Sequence, residues 1–301
     1  MTFKDTWNHI RSQNHMIPSP LANKLGVPVL RTIFANTLIQ LKRFKYCRPR
    51  NNHEKDLIKN GFVVIPNFLP TEDFKKLKQE FDLLMSQSEH VNSGDKGLIK
   101  INIRPIRYRQ SDELPAMQKF SKNEQLIRLI SVGEGKKPFD HLTRFNLENY
   151  KFVNPNKDFD QTVPFHADVH FHSHKVFLYM SDVTEKSAPF TYCKKSHKNT
   201  FDRLWFELRR GQLKDAHKET WRIEDHLDKK FFKDYFEKKI LKQEYKVISP
   251  ANTLVVANVH GFHRRGVASE GARREMIRAT FRYNPLGPVG ERPHIFKPKY
   301  S

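Results

Sequence analysis

The stretch Pro164–Lys175, PFHADVHFHSHK, limits the fold more than any other part of the chain. In it Phe165, Ala167, Val169 and Phe171 alternate with His166, Asp168, His170, His172 and His174. A period of two belongs to a β-strand, whose successive side chains point to opposite faces. One face is expected to enter a core. The other presents four imidazoles and a carboxylate, groups whose lone pairs suit a divalent metal ion. His166 and Asp168 are two apart, so they can point the same way and grip one ion. Four histidines on one face also describe a wet strand surface, and the rest of the chain has to decide between the two readings.

Further strands are predicted at Phe62–Ile65, Leu98–Arg104, Leu142–Leu147, Val176–Met180, Phe190–Cys193, Tyr245–Ile248, Thr253–Val259 and Met276–Tyr283. They do not alternate regularly with helices, which favours a double-sheet barrel or sandwich over a doubly wound sheet. Thr71 reads as the N-cap of a helix, with Glu72 and Asp73 suited to its positive start and Phe74, Leu77, Phe81 and Leu84 forming one stripe. Tyr179 and Met180 are expected in the core. A helical insertion is predicted at about 200–243, where Trp205, Trp221, Phe231, Phe232, Tyr235 and Phe236 stand among many charges as in a packed lid. The expected organisation is a basic helical extension over residues 1–50 and one mostly-β domain with flanking helices over residues 51–301.

A metal held by two histidines and one carboxylate needs a third ligand from elsewhere. The strand Thr253–Val259 runs into HGFHRRG, which offers His260 and His263. Eleven residues past His263 comes Arg274, in a strand where Arg274, Met276, Arg278 and Thr280 share a face. A guanidinium near such a metal can hold a carboxylate by two parallel hydrogen bonds, and Arg278 lies on the same face as Arg274. His170, His172 and His174 are then left for the rim of the site or the surroundings of the ligands.

Four pieces in this order resemble the phytanoyl-CoA dioxygenase family of iron(II)- and 2-oxoglutarate-dependent oxygenases: GFVVIPNFLPTEDFKKLKQEFD, FHADVHF, LYMSDVTEKSAPFTYCKKSHK, and NTLVVANVHGFHRRG with Arg274. The resemblance covers residues 57–285 and implies a double-stranded β-helix, a jelly roll. It implies iron(II) held by His166, Asp168 and His263, and Arg274 on the far carboxylate of 2-oxoglutarate. Asn149, in ENYKF, falls where some relatives place a polar side chain on that cosubstrate. The implied reaction uses O2, converts 2-oxoglutarate to succinate and CO2, and hydroxylates an unactivated C–H bond. Two departures are Ala167, where relatives often have Gln, and Lys194-Lys195, where they often have Pro-Gly. Asp168 is present, unlike in the halogenating relatives that free its position for chloride.

Charge bears on partners. There are 54 Lys and Arg against 33 Asp and Glu, a net charge of +21, which favours an acidic small-molecule substrate and cosubstrate. Residues 1–50 alone hold nine bases against Asp5. Within them VPVLRTIFANTLIQLKRF is an amphipathic helix, with Val29, Leu30, Ile33, Phe34, Leu38, Leu41 and Phe44 apolar. Its expected role is to pack that stripe on the main domain; peripheral attachment of residues 29–50 to an anionic membrane is the other reading. The apolar run TIFANTLIQL is too short to span a bilayer, and two cysteines provide no disulfide framework, so a cytoplasmic protein is expected. The readings competing with an oxygenase are a cupin-like metal protein without oxygen chemistry and a non-catalytic basic binder of nucleic acid or membrane. The complete ligand set with Arg274 argues against both, and nucleic acid is not an expected partner.

Overall fold

A computed structural model describes residues 12–87, 91–92, 99–107, 113–153, 164–214 and 222–287. Near the N-terminus lie helices α1 (Pro20–Lys24), α2 (Val27–Tyr46) and α3 (Asn52–Asn60). Strand β1 (Phe62–Ile65) and helix α4 (Thr71–Ser86) follow. Asn51 starts α3 by accepting from the Glu54 amide at 2.9 Å, and Gly61 ends it with φ +88°, a conformation that suits a residue without Cβ. Thr71, expected as a cap, is instead the first helical residue of α4 after Pro70, while the stripe of Leu77, Phe81 and Leu84 is buried as expected.

Strands β2 (Val91–Asn92), β3 (Ile99–Arg107) and β4 (Arg144–Phe152) bracket helices α5 (Pro115–Ser121) and α6 (Glu124–Glu134). Then come β5 (His174–Tyr179), β6 (Phe190–Cys193) and α7 (Phe201–Gly211). Helix α8 (Lys230–Tyr235) runs on into a π turn at Phe236–Ile240, so the expected insertion is helical on both sides of residues 215–221, which lie outside the described residues with Trp221. The chain closes with β7 (Glu244–Lys246), β8 (Leu254–Asn258), β9 (His263–Arg265) and β10 (Arg273–Phe281).

A seven-stranded antiparallel sheet has the order β1-β8-β5-β10-β4-β3-β2, and a three-stranded one the order β7-β6-β9. The two sheets face each other across Phe62, Phe177, Tyr179, Val255 and Met276 from the large sheet and Phe190 and Tyr192 from the small one. The other face of the large sheet, with Leu147, Val176, Leu178, Val256 and Ile277, is covered by Leu57, Leu77, Phe81, Leu126 and Ile130 from the helices. Period-two alternation therefore sorts β10: Arg274, Met276, Arg278 and Thr280 look between the sheets, and Ile277 and Ala279 look toward the helices.

One predicted strand does not form. Within Phe165–Phe171 only His166 makes a β-bridge, to His263, and regular pairing begins at His174. The alternation there reflects burial on both sides: Phe165, Val169 and Phe171 are buried, and so are His170, His172 and His174. Val169 and Phe171 pack on Ala35 and Ile39 of α2, which holds this irregular segment in place.

Candidate metal centre

His166 and His263 sit opposite each other and exchange both backbone hydrogen bonds, at 3.0 and 2.9 Å, which sets their rings 4.6 Å apart between centroids. Asp168 is anchored by its own amide to the Val259 carbonyl at 2.9 Å. One nitrogen or oxygen from each of His166, Asp168 and His263 lies within 4.8 Å of the others. Asp168 Oδ1 is 3.7 Å from His166 Nε2 and 3.4 Å from His263 Nε2.

Both imidazoles are oriented by the same local device. His166 Nδ1–H donates to the Pro164 carbonyl at 2.9 Å, and His263 Nδ1–H donates to the Gly261 carbonyl at 3.0 Å. A ring that donates through Nδ1 has Nε2 left for another partner, and the buried His263 Nε2 completes no hydrogen bond. Burial, with the neighbouring His263 next, pulls the His166 pKa down to about 4, so it is neutral at physiological pH. Gly261 makes the turn possible, because a Cβ there would lie 1.9 Å from the Tyr192 hydroxyl.

Burial alone would push the Asp168 carboxyl up, but Lys175, His263 and Arg282 hold it well below the usual carboxylate range. Its second oxygen, Oδ2, is gripped by Lys175 Nζ at 2.7 Å and Arg282 at 2.8 Å. That grip fixes the carboxylate and turns Oδ1 toward the two histidines. Neither cation stood out in the sequence, although Lys175 is in register with the inward Phe177 and Tyr179 of β5, and Arg282 continues the inward face of β10.

Arg274 is buried on the inward face and lies over the Tyr150 ring, 5.1 Å from its centroid. It donates to the Ala188 carbonyl through one terminal nitrogen, its Nε completes no hydrogen bond, and among the described residues no carboxylate pairs with it. Arg278, on the same face, is already neutralised by the fully buried Glu148 at 2.5 Å, and Glu148 also accepts from the Tyr150 hydroxyl at 2.9 Å. The Tyr179 hydroxyl is buried and completes no hydrogen bond. Burial pushes its pKa up to about 12, with the Arg274 charge drawing it partly back.

Asn149 is not brought to this place. It is in register with Glu275, hydrogen-bonds it at 3.2 Å, and lies on the helix side of the sheet beside Leu147 and Ile277. Its neighbours Glu148 and Tyr150 face inward instead. His260 is also elsewhere: its Nδ1–H donates to the Val169 carbonyl at 3.0 Å, and its Nε2 meets the Asn36 amide at 3.3 Å. His170 donates to the Ser12 carbonyl, His172 Nδ1 accepts from Asn258 at 2.9 Å, and His174 Nδ1 is 2.6 Å from Glu134. These three are internal struts, not rim groups.

No protein-family model matches the chain and no curated protein matches it, so the resemblance to the phytanoyl-CoA dioxygenases rests on its motifs. Solved structures do match. The chain is similar to EctD from S. alaskensis with bound iron, at 10% identity over 82% of this chain and 83% of that one, with a TM-score of 0.50. It is also similar to HygX from Streptomyces hygroscopicus with nickel, 2-oxoglutarate and hygromycin B bound, at 11% identity over 76% and 86%, with a TM-score of 0.46. The fold is a jelly roll: mostly antiparallel sheet, closed by flanking helices.

Proposed function

We propose that the protein is an iron(II)- and 2-oxoglutarate-dependent dioxygenase, of the phytanoyl-CoA dioxygenase kind, that hydroxylates an unactivated C–H bond of a small, acidic or lipid-like substrate in the cytoplasm. One observation carries this reading: a His-Asp-His group with free lone pairs lies between the sheets, as does Arg274, a buried guanidinium that lacks an acidic partner among the described residues. A buried cation without an anion is costly, and a ligand carboxylate would relieve it. EctD and HygX, whose structures hold iron or 2-oxoglutarate, support the same class.

The donor set fits iron(II), with His166 Nε2, Asp168 Oδ1 and His263 Nε2 as ligands and room for further ones. When bound, iron(II) with 2-oxoglutarate and O2 supplies the oxidising power to place one oxygen atom on the substrate and the other in succinate. Lys175 and Arg282 keep Asp168 ionised and oriented. Arg274 holds the far carboxylate of the cosubstrate, with the Tyr179 hydroxyl as an added donor. Phe177, Phe190, Tyr192 and Met276 close the floor between the sheets against water.

The test is whether purified protein with iron(II) and 2-oxoglutarate forms succinate, uncoupled turnover included. Arg274→Ala should raise the half-saturating 2-oxoglutarate concentration by roughly ten- to a hundredfold and leave iron(II) affinity near normal. No succinate, or the cosubstrate defect in Arg278→Ala with none in Arg274→Ala, overturns the reading.

A further inference from the structure

Helix α2 does not dock as its sequence predicts. Its buried side is largely polar: Arg31, Thr32, Asn36 and Arg43 turn inward with Ala35 and Ile39. Three of them find polar partners there. Arg43 donates to the Val132 and Gly133 carbonyls at the end of α6, at 2.6 and 3.0 Å, and Asn36 accepts from the His172 amide at 2.8 Å. Arg31 donates to the His15 carbonyl at 2.9 Å. The apolar stripe is therefore left outward. Leu30, Phe34, Leu41 and Phe44, spaced along one helical face, are 66%, 59%, 62% and 64% exposed, and Leu21 of α1 and Leu25 just after it are 68% and 71% exposed.

Isolated exposed apolar residues mean little, but six large ones on two consecutive helices and the turn between them mark a contact surface. Exposed Lys24, Lys42, Lys45, Arg48 and Arg50 accompany them, and Arg48 stacks on Phe44 at 3.6 Å. This charge selects the occupant. A second copy would set one basic rim against another, and the C-terminal residues 288–301 carry Arg292, Lys297 and Lys299 against Glu291. Neither complements the surface, whereas a bilayer containing anionic lipid offers hydrocarbon for the stripe and phosphate for the bases. No described helix is long and apolar enough to cross a membrane, so the contact lies in the interface plane. We infer that the outward face of α1 and α2 seats the protein on anionic membrane, with Leu30, Phe34, Leu41 and Phe44 entering the headgroup–acyl boundary.

The inference does not depend on the proposed chemistry and is tested without it. Full-length protein is sedimented with phosphatidylcholine vesicles with and without phosphatidylserine, beside the triple variant Leu30→Ser, Phe34→Ser, Leu41→Ser. The variant keeps the net charge, so it separates insertion from adsorption of a basic protein. Binding to the phosphatidylserine vesicles should fall about a hundredfold in the variant, at an unchanged thermal midpoint. Independently, Leu41→Trp should shift its emission to the blue with those vesicles and be quenched by brominated acyl chains. Equal sedimentation of parent and triple variant, a solvent-like Leu41→Trp emission, or a parent that is dimeric without vesicles and monomeric as the triple variant would each overturn it. The last outcome assigns the face to self-association, and a parent that ignores both vesicles leaves it to an acidic protein.

Discussion

Two groups of histidines, drawn from the same two short stretches of chain, have opposite fates. His166 and His263 each spend Nδ1 on a carbonyl two residues back and keep Nε2 for something else. His172, His174 and His260 spend Nδ1, and His170 spends Nε2, on distant parts of the fold: Asn258, Glu134, Val169 and Ser12. His263 is as deeply buried as the second group and His166 is half-buried, so burial does not separate them. The difference lies in how far away the partner of the committed nitrogen is. A ring tied to its own turn is aimed without being used up, and a ring tied to another element becomes part of the packing.

Acid should expose the packing group first. Burial, with Arg43 next, pulls the His174 pKa down to about 3, and burial pulls that of His197 to about 3 as well. His170, His172 and His260 are lowered in the same direction, each chiefly by burial. The unfolded chain protonates these rings near 6.5 and the folded one much lower, so the unfolded state binds more protons across that window. Stability should rise with pH from about 3 to 6.5 and be lost as pH falls. Urea unfolding midpoints at pH 7, 5 and 4 check the slope. A midpoint that stays flat to pH 4 would mean that these rings are charged or wet, and the comparison fails.

Single substitutions sharpen it. His174→Ala strands the buried Glu134 carboxyl without its imidazole partner and should cost about 1–3 kcal/mol in denaturant unfolding, with metal affinity kept in the protein that remains folded. His263→Ala should cost about 1–2 kcal/mol and remove iron(II) binding measured by titration calorimetry. Reversed outcomes would exchange the two roles. Lys175→Met removes no ligand, but it frees Asp168 Oδ2 from one of its two cations and should weaken iron(II) binding about ten- to a hundredfold. Unchanged affinity there would mean that Arg282 alone orients the carboxylate.

How far the sequence was readable follows the same division. Local patterns transferred well: β1 and β6 have the bounds expected of them, the stripe of α4 is buried, and the His-x-Asp spacing brings two of the three grouped residues together. What needed long-range register did not. The inward or outward direction of Asn149 depends on its pairing with Glu275, and the satisfied state of Arg278 depends on Glu148 in a different strand. Segment 164–173 misled because alternation records burial on one side only when the other side is wet. Helix α2 misled in the opposite sense, since a stripe indicates that something apolar lies against it but not whether that is the protein's own core.

The smallest effect concerns the turn that joins β6 to His197. Lys195 holds φ at +65°, a left-handed conformation in which Cβ crowds the carbonyl, at the place where the resembled family often has Gly. The turn is kept by other bonds: the Lys195 amide donates to the Asn60 carbonyl at 2.8 Å, and the Lys198 amide to the Lys195 carbonyl at 3.1 Å. Lys195→Gly retains both and removes the crowding, which is worth about 1–2 kcal/mol. It also loosens the unfolded chain, which costs about 0.5–1 kcal/mol, so a net gain of about 0.5–1 kcal/mol in unfolding free energy is expected. Lys195→Asn should fall between the two, because Asn tolerates this region better than Lys, as Asn252 does here at φ +60°. Iron(II) affinity should not move in either variant. The turn steadies His197, which donates to the Ile58 carbonyl at 3.0 Å and belongs to the packing group, and it bonds to neither Pro164 nor Gly261, whose carbonyls aim the His166 and His263 imidazoles. A metal affinity that rises with stability would show the two groups of histidines to be coupled through this turn, and the separation between them would be one of geometry alone.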